Sequence, residues 1–184
     1  MKNKLTFITG NIAKAEYLSR QLGFEIDHHK LNLSEIQSLN LEEVVIDKAR
    51  RAHEVLRTPV LVEDASLTIN GMGGLPGPLV KWFFESIGNE GICRFADMSS
   101  SRKAVTEVVF GYCDENGVKT FAGSKSGLIS QTPRGEGGFG WDAVFIPEGY
   151  KKTRAEMSQA EMDASTMRKE AIEKLAKYFS QSEN

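Results

Sequence analysis

"LTFITGNIAKAEYLSRQLG" (residues 5–23) packs a strand, a turn and a helix into one short stretch. The apolar, β-branched run at 4–9 stops at Gly10, as a short buried strand does. Asn11 is a natural N-cap, Ile12, Leu18 and Leu22 fall on one helical face, and Gly23 supplies the C-terminal stop. The switch from a two-residue to a 3.6-residue period between neighbouring segments is the mark of an α/β chain.

The pattern continues outward. "FEIDHHKLNL" (24–33) reads as a second, more exposed strand. From Asn40 the apolar residues recur at three- and four-residue steps, with Glu43 placed to complete a capping box, until Thr58-Pro59 ends the helix. "VLVED" (60–64) reads as a central strand closing on two acids. "LPGPLVKWFFESIG" (75–88) reads as a proline turn and a short helix, and residues 103–130 as a long hairpin turning at "DENG". "DAVFIP" (142–147) is a further strand, and Ser158 with Glu161 opens one long helix to Phe179. No repeat or linker interrupts the chain. One compact α/β unit, folded as two lobes about a cleft, fits this order.

Bulk properties narrow the function. The chain has 184 residues, a formal net charge of −2, and mixed Lys, Arg, Asp and Glu, so it carries no footprint for a nucleic acid polymer. One local anion pocket remains compatible with that balance. Cys93 and Cys113 lack zinc or disulfide spacing and read as buried thiols. The start has no apolar core of signal-peptide length and no run approaches a membrane span, so a cytoplasmic, membrane-free protein is expected.

Four segments can carry chemistry. "TGNIAK" (9–14) points backbone N–H groups of a helix start at one spot, and Lys14 adds charge; an ordinary strand-to-helix turn is the plainer reading. "VLVEDASL" (60–67) sends Glu63 and Asp64 to opposite faces, unless both are simply exposed at a strand end. "LSEIQS" (33–38) holds Glu35, which would share a divalent ion with Asp64 if the fold brings them together. "GEGGFGWDAV" (135–144) flanks Gly140 with Phe139 and Trp141 and follows with Asp142. Such a loop could stack on a flat base and accept from a ring N–H, or it could be a glycine turn with core aromatics.

Together these segments resemble the inosine triphosphatase family, the Ham1-like nucleoside triphosphate pyrophosphatases. The resemblance runs from "TGNIAK" through "SEIQ", "VLVEDASL", "GGLPGPLVKWF" and "GGFGWDAVFIPEGY" to "AEMSQAEM". It implies an elongated mixed sheet with flanking helices and two lobes around a central nucleotide-binding cleft, in a homodimer. It implies hydrolysis of ITP, dITP and XTP to the monophosphate and pyrophosphate with Mg2+, or Mn2+ in its place. Carried over by residue, it gives the triphosphate to Thr9, Gly10, Asn11 and Lys14, with Lys14 also catalytic. It gives the metal to Glu35 and Asp64, with Asp64 as general base, a phosphate contact to Lys48, and a substrate-lining backbone position to Ala65. The base would meet Phe139, Gly140, Trp141, Asp142 and Arg168.

One stretch departs from the family. Where the family has a lysine and then Ser-His-Arg aimed at the base, this chain has Met162, Thr166, Met167 and Arg168. Thioethers replace two polar donors. Relaxed or shifted base selection follows, unless Arg134 or Lys169 stands in. A nucleotide-binding or sensing protein with little turnover, and a pyrophosphatase of pyrimidine or modified nucleotides, are the alternatives.

Overall fold

The computed structural model describes residues 5–181. Lys4, the first residue of the expected opening strand, lies outside them. The elements are β1 (Thr6–Ile8), α1 (Ile12–Leu22), β2 (Asp27–His29), α2 (Leu41–Leu56), β3 (Val60–Ile69), β4 (Pro76–Gly77), α3 (Val80–Asp97), β5 (Lys103–Asp114), β6 (Gly117–Ile129), β7 (Phe145–Pro147), α4 (Gln159–Ala164) and α5 (Arg168–Gln181). Two 3-10 turns, Gly140–Ala143 and Arg154–Glu156, complete the list. The seven-stranded sheet runs β2-β1-β3-β5-β6-β7, with β4 on β3. It is mixed: β1 pairs parallel with β2 and β3, while β3–β4 and β6–β7 are antiparallel.

Contacts divide the chain into two compact units. The first takes the chain through Asp64, Val108–Gly123, and the chain from Arg168. The second takes Ala65–Glu107 and Ser124–Met167. Each has its own core. In the first, α2 lays Leu41, Val45, Ala49 and Ala52 against Val60, Val62 and Val109. That approach is close because a Cβ at Gly111 would stand 2.6 Å from the Val45 side chain. In the second, Leu67, Ile69, Val80, Ile92, Val144 and Phe145 pack together, with Trp141 partly buried against them.

Local chemistry explains the element ends. Asn11 Oδ1 accepts from the Lys14 N–H at 3.3 Å, and Gly23 ends α1 in the left-handed region. The buried face of α1 is Ala15 and Leu18, whereas Ile12 is exposed. Asn40 caps α2 by accepting from the Glu42 and Glu43 N–H groups. Glu43 does not close the box directly. Its carboxylate accepts from Ser38 Oγ, which in turn accepts the Asn40 N–H.

Five expected elements differ. The strand at 24–33 is only Asp27–His29, matching the three residues of β1 that it pairs with. The strand at 142–147 is only Phe145–Pro147, because Asp142 and Ala143 belong to a 3-10 turn whose Asp142 carboxylate accepts the Phe139 N–H. The strand at 60–64 continues to Ile69, so the two acids sit inside β3 and not at its end. The helix after the proline turn runs to Asp97 with a non-helical break at Gly88. The single C-terminal helix is two. The Ser158–Glu161 capping box opens α4, which stops at Ala164 before α5 begins at Arg168. The Met162 carbonyl accepts from Ser165 Oγ and Arg154 Nη1, side-chain donors that compete with continued helical pairing.

Candidate active site

In the first unit, β3 offers a carboxylate to each of its faces, and each meets a cation. On one side Lys48 Nζ, reaching from α2, lies 2.8 Å from Glu35 Oε1 and 3.5 Å from Asp64 Oδ2. Glu35 comes from the loop before α2, far along the chain from Asp64. Sharing one ammonium puts these two oxygens no more than about 6.3 Å apart. Lys48 sits just beyond the buried Val44–Val45 pair, and its side chain is 18% exposed. Burial alone would lower its pKa, but Asp64 and Glu35 outweigh that and raise it, so the lysine stays charged.

On the other side Glu63 is enclosed, with its side chain 6% exposed. Arg168 at the start of α5 binds it through Nη2 at 2.5 Å and Nε at 3.3 Å, and Lys14 Nζ through one contact at 3.3 Å. Burial would push this carboxyl up; Arg168 and then Lys14 override it and hold the pKa at about 2. Nothing in the sequence spacing announces this trio, although the alternation of β3 does separate Glu63 from Asp64.

The turn before α1 spends two of its N–H groups internally. Thr9 Oγ1 accepts from the Asn11 N–H at 3.1 Å, and Asn11 Oδ1 takes the Lys14 N–H. Gly10 packs against the flexible stem of Lys30. An anion at this turn would compete with those side-chain acceptors. Ala65 follows Asp64 within β3 and is half-buried.

The second unit holds the aromatic turn. Phe139 is 83% exposed, whereas Trp141 packs on the core, so the pair flanking Gly140 is split between solvent and interior. Gly140 has a φ of +61° and open space where a Cβ would stand. Gly138, at +75°, would drive a Cβ to within 2.6 Å of Asp142 Oδ2. Space beside the first glycine is open; the second makes room for the protein's own carboxylate. Asp142 Oδ2 accepts from the Phe139 N–H at 2.9 Å and Oδ1 from Arg154 Nε at 2.9 Å. Asn89 Nδ2 donates to the Gly140 carbonyl at 3.1 Å.

The departing stretch resolves unevenly. Met162 is half-buried, while Met167 is 9% exposed and belongs to the buried set. Arg168 falls in the first unit, on Glu63, and Met167 in the second. Of the suggested stand-ins, Arg134 pairs with Glu156 at 3.4 Å and donates to the Lys151 carbonyl, and Lys169 is exposed. Arg154, which no motif singles out, is the cation on Asp142.

The Ham1 family model matches residues 5–178. The chain belongs to the Ham1 family. Curated relatives match it nearly end to end. Inosine triphosphate pyrophosphatase 2 of Trypanosoma cruzi is 41% identical over 181 residues, covering 96% of this chain and 92% of that one. The dITP/XTP pyrophosphatase of Methanopyrus kandleri is 41% identical over 180 residues, 96% of each. A HAM1 protein from Coxiella burnetii shares the fold with a TM-score of 0.86 at 24% identity, over 97% of this chain and 98% of that chain. The mixed α/β architecture expected from the sequence is that of the family. Among the described residues no helix is long and apolar enough to cross a membrane. Cys93 and Cys113 are both free and buried.

Proposed function

We propose that this protein hydrolyses inosine, deoxyinosine and xanthosine triphosphates to the monophosphate and pyrophosphate with the help of Mg2+. The single observation that carries the reading is the meeting of Glu35, Asp64 and Lys48, in a chain about 40% identical to named pyrophosphatases of those nucleotides.

The donor set suits a hard divalent ion. Two carboxylates already share one cation, and Mg2+ needs only one or two protein carboxylates when substrate phosphates and waters complete its shell. Among the described residues there is no group of three or more His, Cys, Asp and Glu that could hold a metal ion. Such an ion would polarise the phosphate oxygens and neutralise charge developing on them. Glu35 and Asp64 would hold it. Asp64 also takes the proton of the attacking water, and Lys48 passes from these carboxylates to a phosphate oxygen.

Lys14 and the turn Thr9–Gly10–Asn11 receive the triphosphate, with Glu63 keeping the Lys14 ammonium in place. Arg168, held by the same carboxylate, is the side-chain donor to the base that the stretch at 162–168 retains. Phe139 stacks on the purine, Trp141 and Gly140 shape the floor, and Asp142 accepts from the base. Hydrolysis by this set needs positioning and charge stabilisation and no covalent intermediate. Ala65 lines the substrate through its backbone, and the working unit is a homodimer.

Pyrophosphate release measured with Mg2+ across ITP, dITP, XTP, GTP, ATP, UTP and TTP tests this. The expected order places ITP, dITP and XTP at least about tenfold above ATP in kcat/KM, the worth of one mismatched buried polar contact. Turnover of UTP or TTP with none of ITP would replace the reading with a pyrimidine pyrophosphatase. Release from no nucleotide would leave a binding protein.

A further inference from the structure

Arg154 is held more tightly than a surface arginine needs to be. Its side chain and that of Asp142 are each 15% exposed. Nε meets Asp142 Oδ1 at 2.9 Å, and Nη1 meets Ser165 Oγ at 3.1 Å and the Met162 carbonyl at 3.3 Å. Ser165 is itself buried and donates to that carbonyl. The guanidinium therefore ties the aromatic turn to the end of α4, where the rigid fork of an arginine can serve several acceptors at once. The opposite oxygen of Asp142 is pinned by the Phe139 N–H, and the turn's Gly140 carbonyl by Asn89. Arg154 and the Phe139 N–H thus hold the two oxygens of one carboxylate, while Asn89 holds the backbone of the turn that carries the exposed Phe139 ring.

A carboxylate fixed in this way has only acceptor lone pairs left to offer. Purines with a proton on N1, such as hypoxanthine, xanthine and guanine, present a donor to it. Adenine presents a lone pair at N1 and is repelled.

We infer that Arg154 is a positioning residue for base selection, which aims Asp142 so that the site accepts purines carrying an N1 proton and turns adenine away. The inference rests on the reading above that Asp142 meets the base. It assigns the substrate class more sharply than that reading, because it separates ATP from ITP and leaves GTP and ITP on the same side of this contact.

The test compares kcat/KM for ITP, GTP and ATP in the wild type, Arg154→Ala, Arg154→Lys, Asp142→Asn and the double variant R154A/D142N, each checked for folding by thermal melting. Arg154→Ala is expected to cut the ITP-to-ATP ratio at least about tenfold, chiefly through a higher KM for ITP, with kcat within about twofold. GTP should fall in step with ITP. Arg154→Lys, which keeps the charge and loses the fork, should recover part of the ratio. Adding Arg154→Ala to Asp142→Asn should change the ratio no further, since the arginine acts through that carboxylate. An unchanged ratio in folded Arg154→Ala would overturn the inference, as would equal losses of kcat for all three nucleotides or additive losses in the double variant. If the wild type releases no pyrophosphate from any of them, the proposed function fails separately. The ratio is then read from ITP and ATP binding by calorimetry, where equal ratios in wild type and Arg154→Ala overturn the inference itself.

Discussion

Asp64→Asn should reduce kcat for pyrophosphate release by roughly a thousandfold or more, the scale expected when a positioned base and a charged metal ligand are lost together. The substitution keeps size and shape and removes only the charge and the proton acceptor. Lys48 retains Glu35 at 2.8 Å as a charged partner, so the fold should hold and melting should shift by a few degrees at most. Nucleotide affinity should change modestly, because Lys14 and the turn at 9–11 are untouched. Turnover close to the wild-type rate in Asp64→Asn would remove this carboxylate from the chemistry.

The second large effect concerns stability. Glu63→Gln leaves Arg168 and Lys14 beside a neutral amide where a buried carboxylate had been. Breaking a buried pair by removing one partner costs about 3–5 kcal/mol, which in a chain of this size lowers Tm by roughly 10 °C. The pH dependence has a definite sign. The Glu63 pKa is depressed in the folded protein, from 4.5 to about 2, so its contribution is complete above about 4.5 and fades as pH falls toward 2. The gap in Tm between wild type and Glu63→Gln should therefore be full at pH 7 and shrink in acid. A gap that widened in acid would contradict the assignment of the charge.

Much of the fold was legible because its signals are local. Asn11 and Gly23 bracket α1 by capping chemistry that needs no distant partner, and the turn at 114–117 closes its hairpin in the same way. What failed was set by contacts from far away. Two adjacent acids look like the end of a strand, yet β3 continues because Lys14 and Arg168 meet one of them and Lys48 the other. The break between α4 and α5 depends on Ser165 and Arg154, the latter from a separate 3-10 turn. The aromatic loop was half legible. Phe139 stands out in solvent, while Trp141 packs against the core, a split that the residue pattern leaves open.

The site divides along the same line. Alternation along one strand foretells that Glu63 and Asp64 part company, but not which cation each finds. The convergence of Glu35 with Asp64 is invisible in spacing and was reachable only through family resemblance. Arg154 carried no signal at all, since Asp142, Ser165 and the Met162 carbonyl meet it only in the fold.

In the proposed reaction Glu35 and Asp64 serve one divalent ion. Electron paramagnetic resonance of Mn2+, titrated into the protein with a slowly hydrolysed ITP analogue, measures it directly. The wild type should hold a single ion per chain, with binding weakened at least about tenfold in both Glu35→Gln and Asp64→Asn. Equal Mn2+ binding in the wild type and both variants would mean that the two carboxylates share no ion.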